Sequence, residues 1–340
     1  MAPFDLIGGL QSAFADLRRT PARVPTWTRV ARPDAPATDG QLQSRQHYFE
    51  VRIDRAYLAY EREWFSRYAP VVLAAAEFSY DGSPLFAPTV VGPTSLKRLG
   101  GEVPVGATIA NTRIAGPHPY SGEGLGVSLV LYRMELTNIA QPFLDALEGA
   151  AAALDVAAGI VPYAKIAGVV LGGVSALVGG EKPLLARSDD FMPVQPGVFA
   201  LIDGAAVDAY SLEVRDGELY QGGEPFRTAD YVLYSIRTVP QNEIDIARLA
   251  LFRQWQAVLK ESAKSGTKDV WESTKVNFST LIGMLYTSPD LTRDHAGQLK
   301  SEWQDTIVAR HKDAEQLGTL ADEISPLDGV RSQALAVLDL

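Results

Sequence analysis

The chain contains no cysteine among its 340 residues. This absence excludes disulfide bonds, thiolate catalysis, cysteine-ligated zinc and iron–sulfur clusters with cysteine ligands. Histidine is scarce as well: there are four, and no two of them have a metal-binding spacing such as H-E-x-x-H. The sequence therefore gives no reason to expect a cofactor.

Positive charge is in deficit, because 31 Lys and Arg face 41 Asp and Glu and the formal net charge is −10. A nucleic-acid partner is not expected, since neutralising phosphates requires clustered Lys and Arg. Hydrophobic residues make up 46% and charged residues 21% of the chain, which is typical of a folded globular protein. Little lysine beside abundant alanine, glycine and arginine indicates a bacterial gene rich in G and C.

Sequence signatures of catalysis are also missing. The glycines of 122–126 lack the G-x-G-x-x-G spacing and precede a strand pattern rather than a helix. Residues 179–182, Gly-Gly-Glu-Lys, lack the spaced first glycine and the following Ser or Thr of a phosphate-binding loop. His118 lies in the sequence Gly-Pro-His-Pro-Tyr with no accompanying serine or carboxylate motif, which favours a structural loop histidine over a catalytic base.

The most informative feature that is present is the apolar run Gly149–Gly180. Its only charged residues are Asp155 and Lys165. Beyond Lys165, 15 residues remain uninterrupted, whereas a membrane-spanning helix needs about 20. The run therefore predicts a buried helical hairpin, divided by Pro162 and by paired glycines, rather than a constitutive membrane span.

The same run has a second interpretation, which is conditional insertion into a membrane. Gly168 and Gly172 form a G-x-x-x-G pair, which permits close helix approach in lipid or in a protein core. Lys165 opposes insertion, because a lysine at the centre of a bilayer costs about 2.5–3.5 kcal/mol. Lys165, Gly168 and Gly172 are therefore candidate residues for contact with a membrane or a partner.

The first 44 residues are predicted to form an arm. Apolar side chains at three- and four-residue spacing over 4–19 predict a short amphipathic helix, and the proline-rich, basic stretch that follows is typical of an extended tether. We expect the helix to dock on its own domain or on a neighbouring subunit; Asp5 and Asp16 oppose the alternative of lipid association. Its candidate contact residues are Phe4, Ile7, Leu10, Phe14 and Leu17.

The remaining chain predicts an α+β fold. Apolar–polar alternation and turn residues between 45 and 240 predict seven or eight short strands, which favours an antiparallel β-sandwich. The predicted strands lie near 49–53, 71–80, 102–114, 125–134, 197–202, 212–214, 218–220 and 231–239. A short helical piece is predicted over 57–65, and a Gly/Ala-rich helical hairpin is inserted over 138–186. Helical spacing predicts a C-terminal helical domain over 241–340, ending in a short helix from Gly329 to Leu338.

Four aspartates surround the predicted return from the insertion to the strand at 197–202. They are interpreted as solvated loop residues. A calcium site is the weaker alternative, because loop carboxylates supply hard oxygen ligands but no fixed loop signature is present. The four residues are Asp189, Asp190, Asp203 and Asp208.

These features favour a non-enzymatic bacterial protein that acts by protein–protein association, as a homo-oligomer or with another protein. A conditional membrane-active role, as in a pore-forming or defence effector, fits the apolar run. Two alternatives stay open: a structural subunit of a phage-like or secretion assembly, and an enzyme with an unrecognised site, for which His118, Asp189 and Asp190 are the first residues to test. A cytoplasmic location, peripheral to the membrane in the membrane-active case, is expected because no secretory signal is apparent.

Overall fold

The computed structural model describes residues 24–33, 40–60, 62–63, 66–92, 107–135, 183–204 and 211–338, together with residues 11, 12 and 15. Residues 62–63, 66–67, 107–110 and 318–338 are described by their backbone alone. The chain divides into two compact units, Met1–Ile244 and Asp245–Leu340. The fold is mixed α+β, with mostly antiparallel sheets and a helical C-terminal region, so the predicted class is confirmed at that level.

Thirteen strands are described in the first unit. They are β1 (Pro25–Val30), β2 (Tyr48–Tyr57), β3 (Arg62–Glu63), β4 (Ser66–Tyr80), β5 (Ser83–Val91), β6 (Ala107–Pro119), β7 (Leu125–Glu135), β8 (Leu185–Phe191), β9 (Gly197–Asp203), β10 (Leu212–Arg215), β11 (Glu218–Gln221), β12 (Glu224–Pro225) and β13 (Tyr231–Val239). The first sheet has the order β1-β9-β13-β2-β6, and the second has the order β3-β4-β7-β8 with β5 on β4. A third, small sheet has the order β10-β11-β12.

One buried cluster draws apolar side chains from both large sheets. The Phe78 ring of β4 contacts the Phe49 ring of β2, with centroids 5.4 Å apart, and the His118 ring of β6, with centroids 5.2 Å apart. Phe78 therefore points from the second sheet toward the first. Because side chains alternate along a strand, Ala74 and Ala76 share this inner face, whereas Leu73 and Ala75 lie on the opposite, outer face.

The third sheet packs on the outer face of the first sheet. Leu219 lies on β11 of this small sheet, and Phe226 directly follows β12. Both belong to a second buried cluster with Tyr57, Tyr231 and Leu233. The hairpin between β10 and β11 turns at Asp216 and Gly217, both with positive φ, as the Asp-Gly pair predicts. This cover explains why Tyr231 and Leu233 are buried although they point away from the main core.

Five described strands, β1, β3, β5, β8 and β12, were not expected from the sequence, and each lies at an edge of its sheet. β1 lies within the predicted tether, β5 was not predicted, and β8 lies where solvated loop aspartates were expected. Edge strands tolerate proline and charge because one side of the backbone needs no partner, so Pro25, Pro84 and Asp190 obscured the strand pattern. The helical piece predicted over 57–65 is wrong where the structure describes it: Tyr57 ends β2, and 62–63 form β3.

The predicted insertion and N-terminal helix fall mostly outside the described residues. Residues 138–182 of the insertion are outside them, and its predicted end at 186 overlaps β8, which begins at Leu185. Of the N-terminal segment, Gln11, Ser12 and Ala15 are described and are helical.

A 3-10 turn at Gln241–Glu243 lies near the end of the first unit, and the second unit begins with another at Ile246–Arg248, followed by three helices. The helices are α1 (Phe252–Ser262), α2 (Lys268–Thr287) and α3 (Arg293–Leu338). Trp255 and Trp303 stack in their shared core, with ring centroids 4.5 Å apart. The predicted separate helix from Gly329 is instead the end of α3, which is continuous.

Candidate functional site

The outer face of the second sheet is apolar and buried. Leu73, Ala75 and Val130 have no exposed surface, and the register places them side by side on β4 and β7. Their neighbours on this face are Val71, Phe86, Pro88, Val90, Ser128, Tyr132, Ala186 and Ser188. Burial on both faces is typical of a sheet covered on both sides, and it accounts for the unbroken run of buried residues from Val71 to Ala76.

Polar groups on this outer face are few. The hydroxyls of Ser128 and Ser188, opposite each other on β7 and β8, are hydrogen-bonded to each other at 2.9 Å. The Tyr132 hydroxyl is buried and has no hydrogen-bond partner among the described residues, and its burial raises the pKa of the phenol to about 12.

No described strand of the first unit covers the outer face, although Gln11 of the N-terminal segment lies at one end of it. Outside its own sheet, β4 makes its main described contacts with β2 and β6, which lie on the inner side. The third sheet covers the first sheet and not the second. Whatever buries Leu73, Ala75 and Val130 from the outside is therefore not among the described strands of this unit.

A cavity of about 340 Å³ opens at one end of the outer face, beside the turn between β4 and β5. Carboxylates of Glu77, Glu123 and Asp190 line it, and Gln11 of the N-terminal segment lies against it. Met192 on its border is 78% exposed. The other lining residues are Phe78, Ser79, Pro84, Leu85, Phe86, Gly124, Leu125, Gly126 and Phe191. Acidic and aromatic side chains together suit a cationic or amphipathic group.

Gly126 sets the shape of the cavity floor. A Cβ atom at this position would lie 3.2 Å from Asp190 Oδ1 and 3.2 Å from Glu77 Cβ. Gly126 stands between these residues in the register, opposite Glu77 on one side and Asp190 on the other. The glycine therefore lets both acidic side chains approach the sheet closely.

The four aspartates predicted near the insertion do not form one group. Asp189 and Asp190 are successive residues of β8 and point to opposite faces, and Arg187 forms an ion pair with Asp189 at 2.7 Å. Burial raises the pKa of Asp189, against the lowering effect of Arg187. Asp203 ends β9, where its backbone N–H donates to the Asp230 carbonyl. Asp208 lies outside the described residues, among which no group of three metal-ligating side chains occurs.

His118 is a buried strand residue and not the loop residue that its prolines indicated. It lies on β6 after a cis Gly116–Pro117 bond, and its ring packs against Phe78 and Tyr80. Burial, with a smaller effect of Arg113, lowers its pKa to about 4. His118 is on the inner side of the second sheet and Asp190 on the outer side, so the residues of the enzyme alternative do not share one face.

A serine–histidine–glutamate arrangement in the second unit escaped the sequence analysis. His311 Nδ1 lies 3.0 Å from Ser265 Oγ, and His311 Nε2 lies 3.4 Å from Glu315 Oε1. The Ser265 hydroxyl is buried and donates to the Ser262 carbonyl at 2.7 Å, while Nδ1 lies 2.8 Å from the Ser265 carbonyl. Because Nδ1 donates to that carbonyl, it cannot take a proton from the hydroxyl. The arrangement therefore ties the end of α1 to α3.

The remaining candidate residues cannot be placed. Those of the N-terminal arm (Phe4, Ile7, Leu10, Phe14 and Leu17) and of the apolar run (Lys165, Gly168 and Gly172) lie outside the described residues. Among the helices that the structure describes, none has both the length and the hydrophobicity needed to span a membrane.

The chain matches no family model, no curated protein and no solved structure. The class that its own geometry defines is a mixed α+β protein with two five-stranded antiparallel sheets, a buried apolar face and an acidic cavity at the end of that face.

Proposed function

We propose that this chain is a non-enzymatic protein that acts by association, and that its N-terminal arm docks at the acidic cavity of a second copy. The observation that carries the proposal is the position of Gln11, a helical residue of the arm, against the cavity lined by Glu77, Glu123 and Asp190. Because β1 joins the predicted tether to the first sheet, the segment before Pro25 is the part that can exchange between subunits and produce oligomers.

Charge supports this docking site. The arm is basic, with Arg18, Arg19 and Arg23 in its sequence, although the whole chain carries a net charge of −10. A basic segment next to three carboxylates gains complementary electrostatics that specify register and partner. The exposed Met192 at the border offers an apolar contact for the amphipathic helix.

The architecture inferred for this protein is a β-sandwich formed by the two five-stranded sheets. Its support is the shared buried cluster and the Phe49–Phe78 contact across the sheets. The inserted helical hairpin, now limited to 138–182 because β8 begins at Leu185, is part of the same proposal. In such a fold the loops and connections carry the contacts, and the sandwich supplies a rigid base.

The test is the mass of the purified protein by multi-angle light scattering. Deleting Met1 to Thr20 is expected to lower the oligomer mass, and Glu123→Arg with Asp190→Arg is expected to do the same in the full chain. Glu224→Arg is the matched control, because Glu224 is an exposed glutamate on β12. An unchanged mass in the deletion variant would defeat the proposal; an effect equally large in the control would assign it to net charge alone.

A conditional membrane-active role is the second candidate function. The observation that favours it is the buried outer face of β4 and β7, which adjoins the connection that contains the apolar run. A run sheltered at rest and released by a trigger would give such a protein its two states.

Leakage of dye from anionic liposomes tests this second role. Leakage is expected to depend on the run, and Gly168→Leu with Gly172→Leu is expected to reduce it by blocking close helix approach. Gly124→Ala is the control, because the added Cβ would make only an ordinary contact at 3.5 Å. Gly82→Ala would not serve, because Gly82 has a φ of +71°. Equal leakage from the double variant and the parent chain would count against the role.

A further inference from the structure

We propose that the outer face of the second sheet is the resting seat of the apolar run Gly149–Gly180. This inference concerns a different segment from the arm, although the cavity proposed for the arm opens at one end of the same face. It concerns where the chain keeps its largest apolar segment. Three observations carry it: the burial of the face, the connectivity of the sheet and the size of the side chains on the face.

Burial is the first observation. Leu73, Ala75 and Val130 have no exposed surface, and the neighbouring Tyr132 is 2% exposed. An uncovered sheet face of this size would be a large apolar patch in water, which folded chains avoid unless it is an interaction site. The face therefore has a cover, and no described strand of the first unit supplies it.

Connectivity is the second observation. β7 ends at Glu135 and β8 begins at Leu185, and these two strands are antiparallel neighbours in the second sheet. Neighbouring antiparallel strands can be joined by about two residues. The connection 136–184 is far longer than the distance requires. It leaves and returns at the same end of the same sheet, beside Tyr132 and Leu185.

Side-chain size is the third observation. Ala75, Ser128 and Ala186 give the middle of the face small side chains, and the Ser128–Ser188 hydrogen bond gives each of these two hydroxyls a partner. Segments rich in glycine and alanine can approach such a surface closely and gain dispersion contacts. The glycine- and alanine-rich composition of the run matches that requirement.

Because the chain has no cysteine, single introduced thiols report on the cover directly. Ala75→Cys in the full chain is expected to react with a maleimide at least about 100-fold more slowly than Ser83→Cys, whose residue is exposed. Replacing 149–180 by a Gly/Ser linker of equal length is expected to raise the Ala75→Cys rate to within about tenfold of the exposed reference.

Ala200→Cys is the matched control. Ala200 is equally buried, but it lies on the outer face of the first sheet under the third sheet. Its thiol is expected to stay protected in the linker variant. Continued protection of Ala75→Cys beside a protected Ala200→Cys would overturn the proposal. Exposure of Ala75→Cys on deletion of Met1 to Thr20, and not on replacement of the run, would assign the face to the arm instead.

Disulfide trapping in the otherwise unaltered chain keeps the proposal testable should the linker variant fail to fold. Ala75→Cys is paired in turn with Ala157→Cys, Ala167→Cys or Ala176→Cys, and with Ala13→Cys in the arm as the competing position. At least one run position is expected to form an intramolecular disulfide on mild oxidation. Trapping with the arm alone, or with none of the positions, would overturn the proposal. The arm proposal is judged separately, by oligomer mass.

Discussion

The outer faces of the two large sheets are buried by different means. On the first sheet, Tyr231 and Leu233 lie under the third sheet. The charged residues of the same face form ion pairs with each other. There, Glu50 accepts from Arg52 Nη1 at 3.0 Å and from Arg113 Nε at 3.1 Å. On the second sheet the middle of the face carries no charged residue, and no described strand of the unit covers it.

This difference shows what each face is suited to do. The outer face of the first sheet is covered by the third sheet, and its charged residues are paired with each other. It therefore needs no further partner and contributes to the stability of the fold. The ion pairs themselves contribute little net stability, but removing one partner would leave a buried charge. An apolar face needs a cover from outside its own sheet, because a large exposed apolar patch is unfavourable in water.

The largest expected effect compares one leucine on each face. Leu73→Ala and Leu233→Ala each remove a side chain that has no exposed surface. Each is expected to lower the free energy of unfolding by about 2–5 kcal/mol if both covers are closely packed. Urea denaturation with circular dichroism at the strand wavelengths measures both.

The two leucine variants also separate the two kinds of cover. A cost for Leu73→Ala well below that for Leu233→Ala would mean that the second face is loosely covered, since a cavity that collapses is cheap. Val232→Ala, on the inner face, serves as the reference for a side chain buried in the shared core. If Leu73→Ala lowered the free energy of unfolding by close to zero, as a substitution at an exposed site does, it would contradict the burial on which the comparison depends.

An intermediate effect is expected from the phenol of Tyr132. Its pKa is about 12 in the folded chain, against about 10 for an unfolded tyrosine. Above pH 10 the unfolded chain therefore loses a proton that the folded chain keeps, so stability falls as the pH rises from 10 to 12. Tyr132→Phe is expected to reduce this alkaline loss by about 1–2 kcal/mol at pH 12.

The measurement is urea unfolding at pH 8, 10 and 11.5, with Tyr60→Phe as the control because Tyr60 is 71% exposed. The Tyr132→Phe curve should separate from the parent only at high pH. A parallel loss in both variants at every pH would show that the Tyr132 hydroxyl is not held away from water. In the linker variant, the pKa of Tyr132 is expected to fall back to about 10, so that Tyr132→Phe no longer changes the pH dependence of stability.

Sequence reasoning predicted the parts of this fold that have a regular pattern. Phe49, Val51 and Ile53 alternate cleanly and lie in β2, and the Asp216–Gly217 pair marks the hairpin between β10 and β11. Helical spacing predicted the C-terminal helices, whose core contains the stacked Trp255 and Trp303. These positions could be predicted because local propensity and tertiary packing agree.

The missed parts depend on distant residues. Pro84 and Pro88 hid β5, since a proline is tolerated only when the strand is at an edge, and the sequence does not say which strand is at an edge. The acidic cavity joins Glu77, Glu123 and Asp190 from separate segments, and no spacing in the sequence brings them together. Sheet order, and not residue pattern, creates both features.

The smallest expected effect concerns the floor of the cavity. Gly126→Ala places a Cβ 3.2 Å from Asp190 Oδ1 and from Glu77 Cβ, whereas Gly124→Ala meets only the Phe191 carbonyl at 3.5 Å. The first variant is expected to cost about 1 kcal/mol and the second close to nothing, because only the first forces neighbours to move. Both are measured by urea unfolding, beside oligomer mass.

The mass measurement extends the comparison from stability to association. If the arm docks at the cavity, Gly126→Ala should lower the oligomer mass at protein concentrations where Gly124→Ala leaves it unchanged, because the shifted Asp190 and Glu77 alter the seat. A loss of stability with no change in mass would assign Gly126 to packing of the sheet alone. A change in mass in both variants would instead point to the loop that contains Gly124, and would move the docking site from the carboxylates to the loop backbone.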